Sequence, residues 1–201
     1  MTQILEKHFE TIRKTFLDYG IKSIAMDDIA GNLGISKKTL YKEYANKNEL
    51  VRDVFLEDFS QFKAKTNAIS KDSSNAVEEL YRLSDLFITS QNSLSISTLY
   101  DLKKYYHELF AEMIKLIDIL INDLITNGIK RGIAEKNFNP DVEYDKIACF
   151  FAFIFESYFL HPLHNLSNVS MPFSGKDIMK YFYKGICTQQ GIEILNNIQN
   201  S

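Results

Sequence analysis

Apolar residues recur at helical spacing along most of the chain. Residues 4–19 place Leu5, Phe9, Ile12, Phe16 and Tyr19 three or four apart, the stripe of an amphipathic helix. Gly20 follows at once, where a left-handed residue commonly ends a helix. Met26 to Leu33 gathers Met26, Ile29, Ala30 and Leu33 on one face, and Gly34-Ile35-Ser36 interrupts it. Lys37 to Tyr44 restarts behind Ser36, whose hydroxyl suits the first free N–H groups of a helix. Asn46-Lys47-Asn48-Glu49 sets a capping residue three places before a glutamate. It opens a long helix through Leu50, Val51, Val54, Phe55, Phe59 and Phe62.

Thr66 to Asn75 is small and polar and reads as a junction. Beyond it the periodicity predicts helices near 76–90, 94–106, 107–131, 141–161 and 175–196, separated by Gly132, Asn139-Pro140, His161-Pro162 and Pro172-Phe173-Ser174-Gly175. No run alternates in the manner of a strand. The expected fold is all-α: an N-terminal three-helix domain over 1–48, joined by a long helix to a C-terminal helical bundle within 49–201. Composition agrees, since 45% hydrophobic and 24% charged residues exclude extended disorder, and 3 Pro with 8 Gly exclude collagen-like or turn-dense chains. Cys149 and Cys187 are too few for a disulfide framework, and Cys149, within an apolar helix, reads as a buried thiol. The most apolar stretch, Ile147 to Leu160, falls short of the about 20 residues that span a bilayer, and it contains Glu156. The opening residues show no secretion signal, so the expectation is a cytoplasmic protein without a membrane partner.

The net charge of −3 does not advertise a nucleic acid, but its distribution is uneven. Residues 1–65 carry 11 Lys and Arg against 10 Asp and Glu, whereas residues 66–201 carry 12 against 16. Between Ser36 and Lys47 lie Lys37, Lys38, Lys42 and Lys47 against Glu43 alone. Two short helices joined by a tight glycine-containing turn form a helix-turn-helix, here Ala25 to Tyr44. In that unit the first helix braces across the phosphate backbone and the second presents side chains to the major groove. Ile29, Ala30, Leu33, Ile35 and Leu40 supply the buried seam. The candidate DNA-binding residues are therefore Ser36, Lys37, Lys38, Thr39, Tyr41, Lys42 and Tyr44, types suited to phosphates or base edges. Lys47 joins them because a lysine in the first turn of a helix suits a phosphate.

Asp28-Ile29-Ala30, Leu33 to Tyr41 and Lys47-Asn48-Glu49-Leu50, with Phe16 and Gly20 ending the first helix, resemble the N-terminal domain of the TetR-type transcriptional regulators. Two positions depart from that pattern: Ala25 stands where a Ser or Thr is usual, and Glu43 where a Tyr or His often stands. The resemblance implies a homodimeric regulator that binds a palindromic operator in double-stranded DNA. It also implies a repressor released by a small apolar or aromatic effector held in the C-terminal domain. Gly185-Ile186-Cys187-Thr188 is similar to the end of the family's last bundle helix.

The aromatic residues Tyr81, Phe87, Tyr100, Tyr105, Tyr106, His107 and Phe110 are candidate liners of such a pocket. Tyr144 to Leu160 is apolar on more than one face, which calls for a partner as well as a core. With the resemblance, this makes Phe151, Phe155, Phe159, Tyr181 and Ile186 candidates for a dimer interface formed by residues 141–161 and 175–196. An all-α sensor or carrier that has lost DNA binding is the alternative, on the grounds of Ala25 and Glu43. His161 and His164 are separated by Pro162 without a third ligand and read as a surface turn. No nucleophile elbow, phosphate-binding glycine loop or cofactor motif is present, so neither an enzyme nor a cofactor is expected.

Overall fold

Helix boundaries follow the capping residues closely. A computed structural model describes residues 2–93, 95–160 and 174–199. Its helices are α1 (Gln3–Tyr19), α2 (Met26–Asn32), α3 (Lys37–Glu43), α4 (Lys47–Asp72), α5 (Ala76–Ser93), α6 (Ile96–Tyr105), α7 (His107–Ala134), α8 (Tyr144–Leu160), α9 (Gly175–Ile186) and α10 (Gln189–Gln199). Among the described residues there is no strand, only an isolated bridge between Phe138 and Cys187. Thr2, Ser36, Ser95 and Ser174 each cap a helix with a side-chain oxygen.

Two expected boundaries are corrected. The polar stretch from Thr66 does not break α4, which continues to Asp72. Its hydroxyls bond back to their own helix, Thr66 to the Lys63 carbonyl at 2.8 Å and Ser73 to that of Ile69 at 2.7 Å. The link is then only 73–75, and Asn75 Oδ1 caps α5 by accepting the Glu78 N–H at 3.0 Å. The helix expected over 175–196 is divided at Cys187-Thr188 into α9 and α10. Backbone from the end of α7 enters the gap: the Asn139 N–H donates to the Ile186 carbonyl, and the Thr188 N–H to that of Asn137, both at 2.9 Å. The approach is so close that a Cβ on Gly191 would stand 2.2 Å from the Asn137 carbonyl oxygen.

The chain forms two compact units, one of Met1–Phe62 with Ser93–Lys115, the other of Lys63–Asn92 with Leu116–Ser201. The first therefore takes in more than residues 1–48, adding α6 and the first turns of α4 and α7. Its core joins Ile12, Phe16, Ile29, Leu40, Leu50 and Val54 to Leu102 and Leu109. Ion pairs tie its helices, Arg13 to Asp58 at 2.6 Å and Arg52 to Glu112 by two parallel bonds of 2.6 and 2.9 Å. In the second unit Leu80, Leu83, Ile125, Ile129 and Phe151 are buried, and the Tyr183 hydroxyl shares a buried 2.6 Å hydrogen bond with Ser84. Arg131 donates to Glu79, Glu135 and the Ser73 carbonyl at 2.7–3.1 Å. Among the described residues no helix is long and apolar enough to cross a membrane.

Candidate nucleic-acid interface

The geometry of α2 and α3 is set by a glycine and two buried seams. Gly34 adopts φ +66°, and its N–H reaches the Gly31 carbonyl at 3.1 Å while the Ile35 N–H reaches that of Ala30 at 3.0 Å. This pair of bonds closes the end of α2 and needs a left-handed residue between them. Space is open around Gly34, so the constraint is conformational alone. Ser36 then starts α3, its hydroxyl accepting the Thr39 N–H at 3.1 Å. Leu40 is fully buried against Ile29 and Ala30 in the same core, which fixes the face that α3 turns outward.

That outward face carries Lys37, Lys38, Thr39, Tyr41 and Lys42, all exposed. They differ in how free they are. The Lys37 ammonium is paired with Asp27 of α2, and this contact raises it above the ordinary lysine pKa. Ser36 and Thr39 share a 2.7 Å hydroxyl–hydroxyl bond, so both are occupied at the start of the helix. Among the described residues Lys38 and Lys42 make no ion pair, and Tyr41 is 48% exposed. These three are the side chains readiest to meet a ligand.

The structure places two candidate DNA-binding residues elsewhere. Tyr44 is 1% exposed, and its hydroxyl shares a 2.6 Å bond with Thr2. Burial pushes its phenol up to about 12. Tyr44 falls outside the outward face because it follows Leu40 by one helical turn, on the buried side. Lys47 is drawn inward, its ammonium donating to the carbonyls of Ile21 and Ile24 in the link between α1 and α2. Burial holds it below the ordinary lysine range, against the opposing pull of Asp101 and Asp28. Lys47 thus secures that link, and two of its three donors are already engaged.

The two departures from the family pattern have local structural roles. Ala25 supplies no capping oxygen, but the Asp28 carboxylate reaches back to the Ala25 N–H at 2.8 Å. That is the backward half of a capping box, with the forward half missing. Glu43 turns away from the outward face and accepts the backbone N–H of Ile4 at 2.9 Å. Sequence spacing could not reveal this contact, which joins residues 39 positions apart.

The seven candidate pocket residues are divided between the two units. Tyr106 and Phe110 pack against the core of the first unit, while Tyr100 and Tyr105 are exposed and hold lysines. His107 is exposed at the start of α7. Tyr81 and Phe87 belong to the second unit, where Tyr81 stands 6.5 Å from Tyr183 ring to ring and Phe87 is buried. Helical periodicity identified aromatic positions but not the face each would present.

On α8, Phe151 is buried within its own unit and meets Phe182 edge-on at 5.3 Å, so it is not surface for a partner. Its neighbours Phe150 and Phe153 are 53% and 66% exposed, and Tyr181 of α9 is 72% exposed. Ile186, itself buried, helps line an apolar groove of about 490 Å³ with Ile147, Phe150, Ile154, Ile178 and Tyr181. The side chains of Phe155 and Phe159, and the whole of His161 and His164, lie outside the described residues. Cys149 is exposed rather than buried, because it shares the uncovered side of α8 with Phe150. Among the described residues no three His, Cys, Asp or Glu side chains gather as a metal site would require.

Residues 9–54 match the model of the family described as bacterial regulatory proteins, tetR family. The chain is 30% identical over 127 residues to YvaF of Bacillus subtilis (strain 168), an uncharacterized HTH-type transcriptional regulator. That match spans 60% of this chain and 65% of the relative, a little under two thirds of its length. A transcriptional regulator from Cytophaga hutchinsonii ATCC 33406 shares the fold with a TM-score of 0.75 at 21% identity, over 93% of this chain and 100% of that one. A TetR transcription regulator from Haloarcula marismortui ATCC 43049 gives 0.73 at 15% identity, over 94% and 100%.

Proposed function

We propose that this chain, whose residues 9–54 match the model of bacterial regulatory proteins of the tetR family, is a sequence-specific DNA-binding transcriptional regulator. The observation that carries the reading is the α2–α3 pair, in which buried Leu40 leaves Lys38, Tyr41 and Lys42 outward, with no ion pair to either lysine among the described residues. A helix of this composition, held at a fixed angle by a tight turn, can enter a major groove and bond to phosphates and base edges. Neither departure from the family pattern favours a head without DNA affinity. Glu43 spends its carboxylate on α1, and Asp28 replaces part of the cap that Ala25 lacks.

The finer reading is a cytoplasmic homodimer on a palindromic operator, because paired recognition helices about 34–36 Å apart read successive major grooves. The exposed Phe150 and Tyr181 at the α8–α9 groove, with exposed Phe153 also on α8, support self-association. Regulation is repression relieved by a small apolar or aromatic effector in the C-terminal bundle. Such a ligand acts by binding more tightly to a dimer whose heads are wrongly spaced for the operator.

The test is selection of duplexes from random-sequence DNA, followed by affinity measurement with the wild type and Lys38→Ala. The expected result is an enriched palindrome, bound less tightly by the variant. Failure to enrich any sequence, by a protein shown to be folded, overturns the reading.

A further inference from the structure

Outside the helix-turn-helix, two lysines and two tyrosines interleave on the surface of the first unit. Lys22 lies in the link between α1 and α2, and its ammonium donates to the Tyr105 hydroxyl at 2.8 Å while standing 4.0 Å from that ring's centre. Lys104 donates to the Tyr100 hydroxyl at 2.8 Å and stands 5.1 and 5.4 Å from the rings of Tyr100 and Tyr105. All four residues are exposed.

Several cations of this unit serve the fold through carboxylates: Arg13 with Asp58, Lys37 with Asp27, and Arg52 with Glu112. Lys22 and Lys104 do not. Among the described residues no carboxylate pairs with either ammonium. Asp101, between the tyrosines on α6, instead accepts the backbone N–H of Lys22 at 2.8 Å. A phenol oxygen and a ring face orient an ammonium without cancelling its charge. The two positive charges are therefore held in place and left available to an anion.

Their position identifies the anion. The link that carries Lys22 runs directly into α2, and its carbonyls at Ile21 and Ile24 are fastened by Lys47 from the start of α4. In a docked helix-turn-helix the first helix of the motif braces across the phosphate backbone. In such a docking, chain leading directly into that helix would adjoin the backbone the helix crosses, to the side of the bases that the second helix reads.

We propose that Lys22 and Lys104, oriented by Tyr105 and Tyr100, form a second phosphate-binding surface that grips the duplex backbone flanking each operator half-site. The inference rests on the DNA-binding reading above. Phosphate oxygens accept from the ammonium groups, and each tyrosine hydroxyl can accept from its lysine while donating to phosphate. The surface reads no sequence. It lengthens the footprint.

The experiment uses the full chain and the duplex it enriches from random DNA, in two lengths. One is trimmed to the shortest tightly bound form, and the other is extended by a helical turn of arbitrary sequence at each end. Affinity is measured across a salt series for the wild type, Lys22→Gln/Lys104→Gln, Lys22→Arg/Lys104→Arg and Lys38→Ala. The glutamine variant should bind the long duplex less tightly and the short duplex as the wild type does. On the long duplex its salt-dependence slope should fall by about one for each phosphate that a lysine no longer neutralises. The arginine variant should retain the long-duplex advantage. Equal weakening on both lengths, or none on either, overturns the surface. If Lys38→Ala weakens binding while the glutamine variant keeps the wild-type dependence on length, the surface fails and the DNA-binding reading stands. If the folded wild type enriches no duplex, both fail together.

Discussion

The carboxylate of Glu43 accepts the backbone N–H of Ile4 at 2.9 Å, so the last residue of α3 closes the first turn of α1. Beside it the Tyr44 hydroxyl meets Thr2 at 2.6 Å. The outward-facing helix is thus tied at its end to the opening of the chain's first helix, and its tilt depends on α1 as well as on the turn at Gly34. Glu43→Ala leaves an amide of α1 without this partner and should lower unfolding free energy by about 1–2 kcal/mol. Glu43→Gln keeps an acceptor and should lose less. Urea unfolding at neutral pH measures both, and an alanine variant as stable as the wild type would show that water replaces the carboxylate fully.

Tyr44 gives the same junction a dependence on alkaline pH. Its folded pKa is about 12 against an unfolded value of 10, mainly through burial. The folded state therefore holds its proton more tightly than the unfolded chain. The stability this represents is complete below pH 10 and is lost as pH rises from 10 to 12. Tyr183 and Cys187, raised by burial in the second unit, add to any such loss. The diagnostic is consequently a difference: Tyr44→Phe should show a smaller fall in stability between pH 8 and pH 11 than the wild type. Parallel curves would place the alkaline sensitivity elsewhere.

The helices of the head were legible because each has a one-sided stripe and a local cap, as with Ser36 before α3 and Gly20 after α1. Local signals also identified Lys38, Tyr41 and Lys42 as outward. What the sequence could not show were bonds between distant residues. Lys47 turns to Ile21 and Ile24, and Glu43 to Ile4, only because tertiary packing brings those backbones within reach. The division of the last expected helix has the same origin. Nothing near Cys187 announces a break, whereas the Asn137–Asn139 backbone supplies its bonds from some 50 residues away. Polar content misled in the other direction at Thr66, because a hydroxyl can bond to its own helix as readily as leave it.

Gly191 is the residue that lets this inserted backbone fit. An added Cβ would stand 2.2 Å from the Asn137 carbonyl oxygen, which is held by the Thr188 N–H and cannot simply rotate away. Gly191→Ala should destabilise the protein by about 1–3 kcal/mol, lowering the thermal midpoint by roughly 2–12 °C for a chain of this size. Gly185→Ala is the control, since nothing lies within 4 Å of its Cβ position. Equal thermal midpoints for the two variants would contradict the packing argument.

The exposed rings of α8 and α9 provide a test of self-association. Phe150 and Tyr181 line the apolar groove and Phe153 is exposed on the same helix as Phe150, and like charges placed at the groove would be buried without a partner in any interface it forms. Phe150→Glu with Tyr181→Glu should shift the protein from dimer to monomer in sedimentation analysis, while the buried Phe151–Phe182 contact preserves each chain's own core. A wild type that sediments as a monomer, or a double variant that remains a dimer, removes this face as the interface.

Lys47 and Lys38 separate fastening from recognition. Both are lysines near the start of a helix, and charge alone would give them the same role. Their surroundings differ: the half-buried Lys47 ammonium sits on two backbone carbonyls, whereas Lys38 is exposed and has no ion-pair partner among the described residues. Lys47→Ala strands the Ile21 and Ile24 carbonyls and should cost about 1–3 kcal/mol of stability. Once the protein is folded, however, it should leave the salt-dependence slope of DNA binding near the wild-type value. Lys38→Ala should do the reverse. It should leave unfolding within about 0.5 kcal/mol of the wild type. On the selected duplex it should cost about 1–3 kcal/mol of binding, with a smaller loss on unrelated DNA. Measuring stability and salt-titrated affinity on the same two preparations decides the matter. A Lys47→Ala protein of unchanged stability whose salt slope falls by about one unit per phosphate would mean that this ammonium leaves its carbonyls for the DNA backbone.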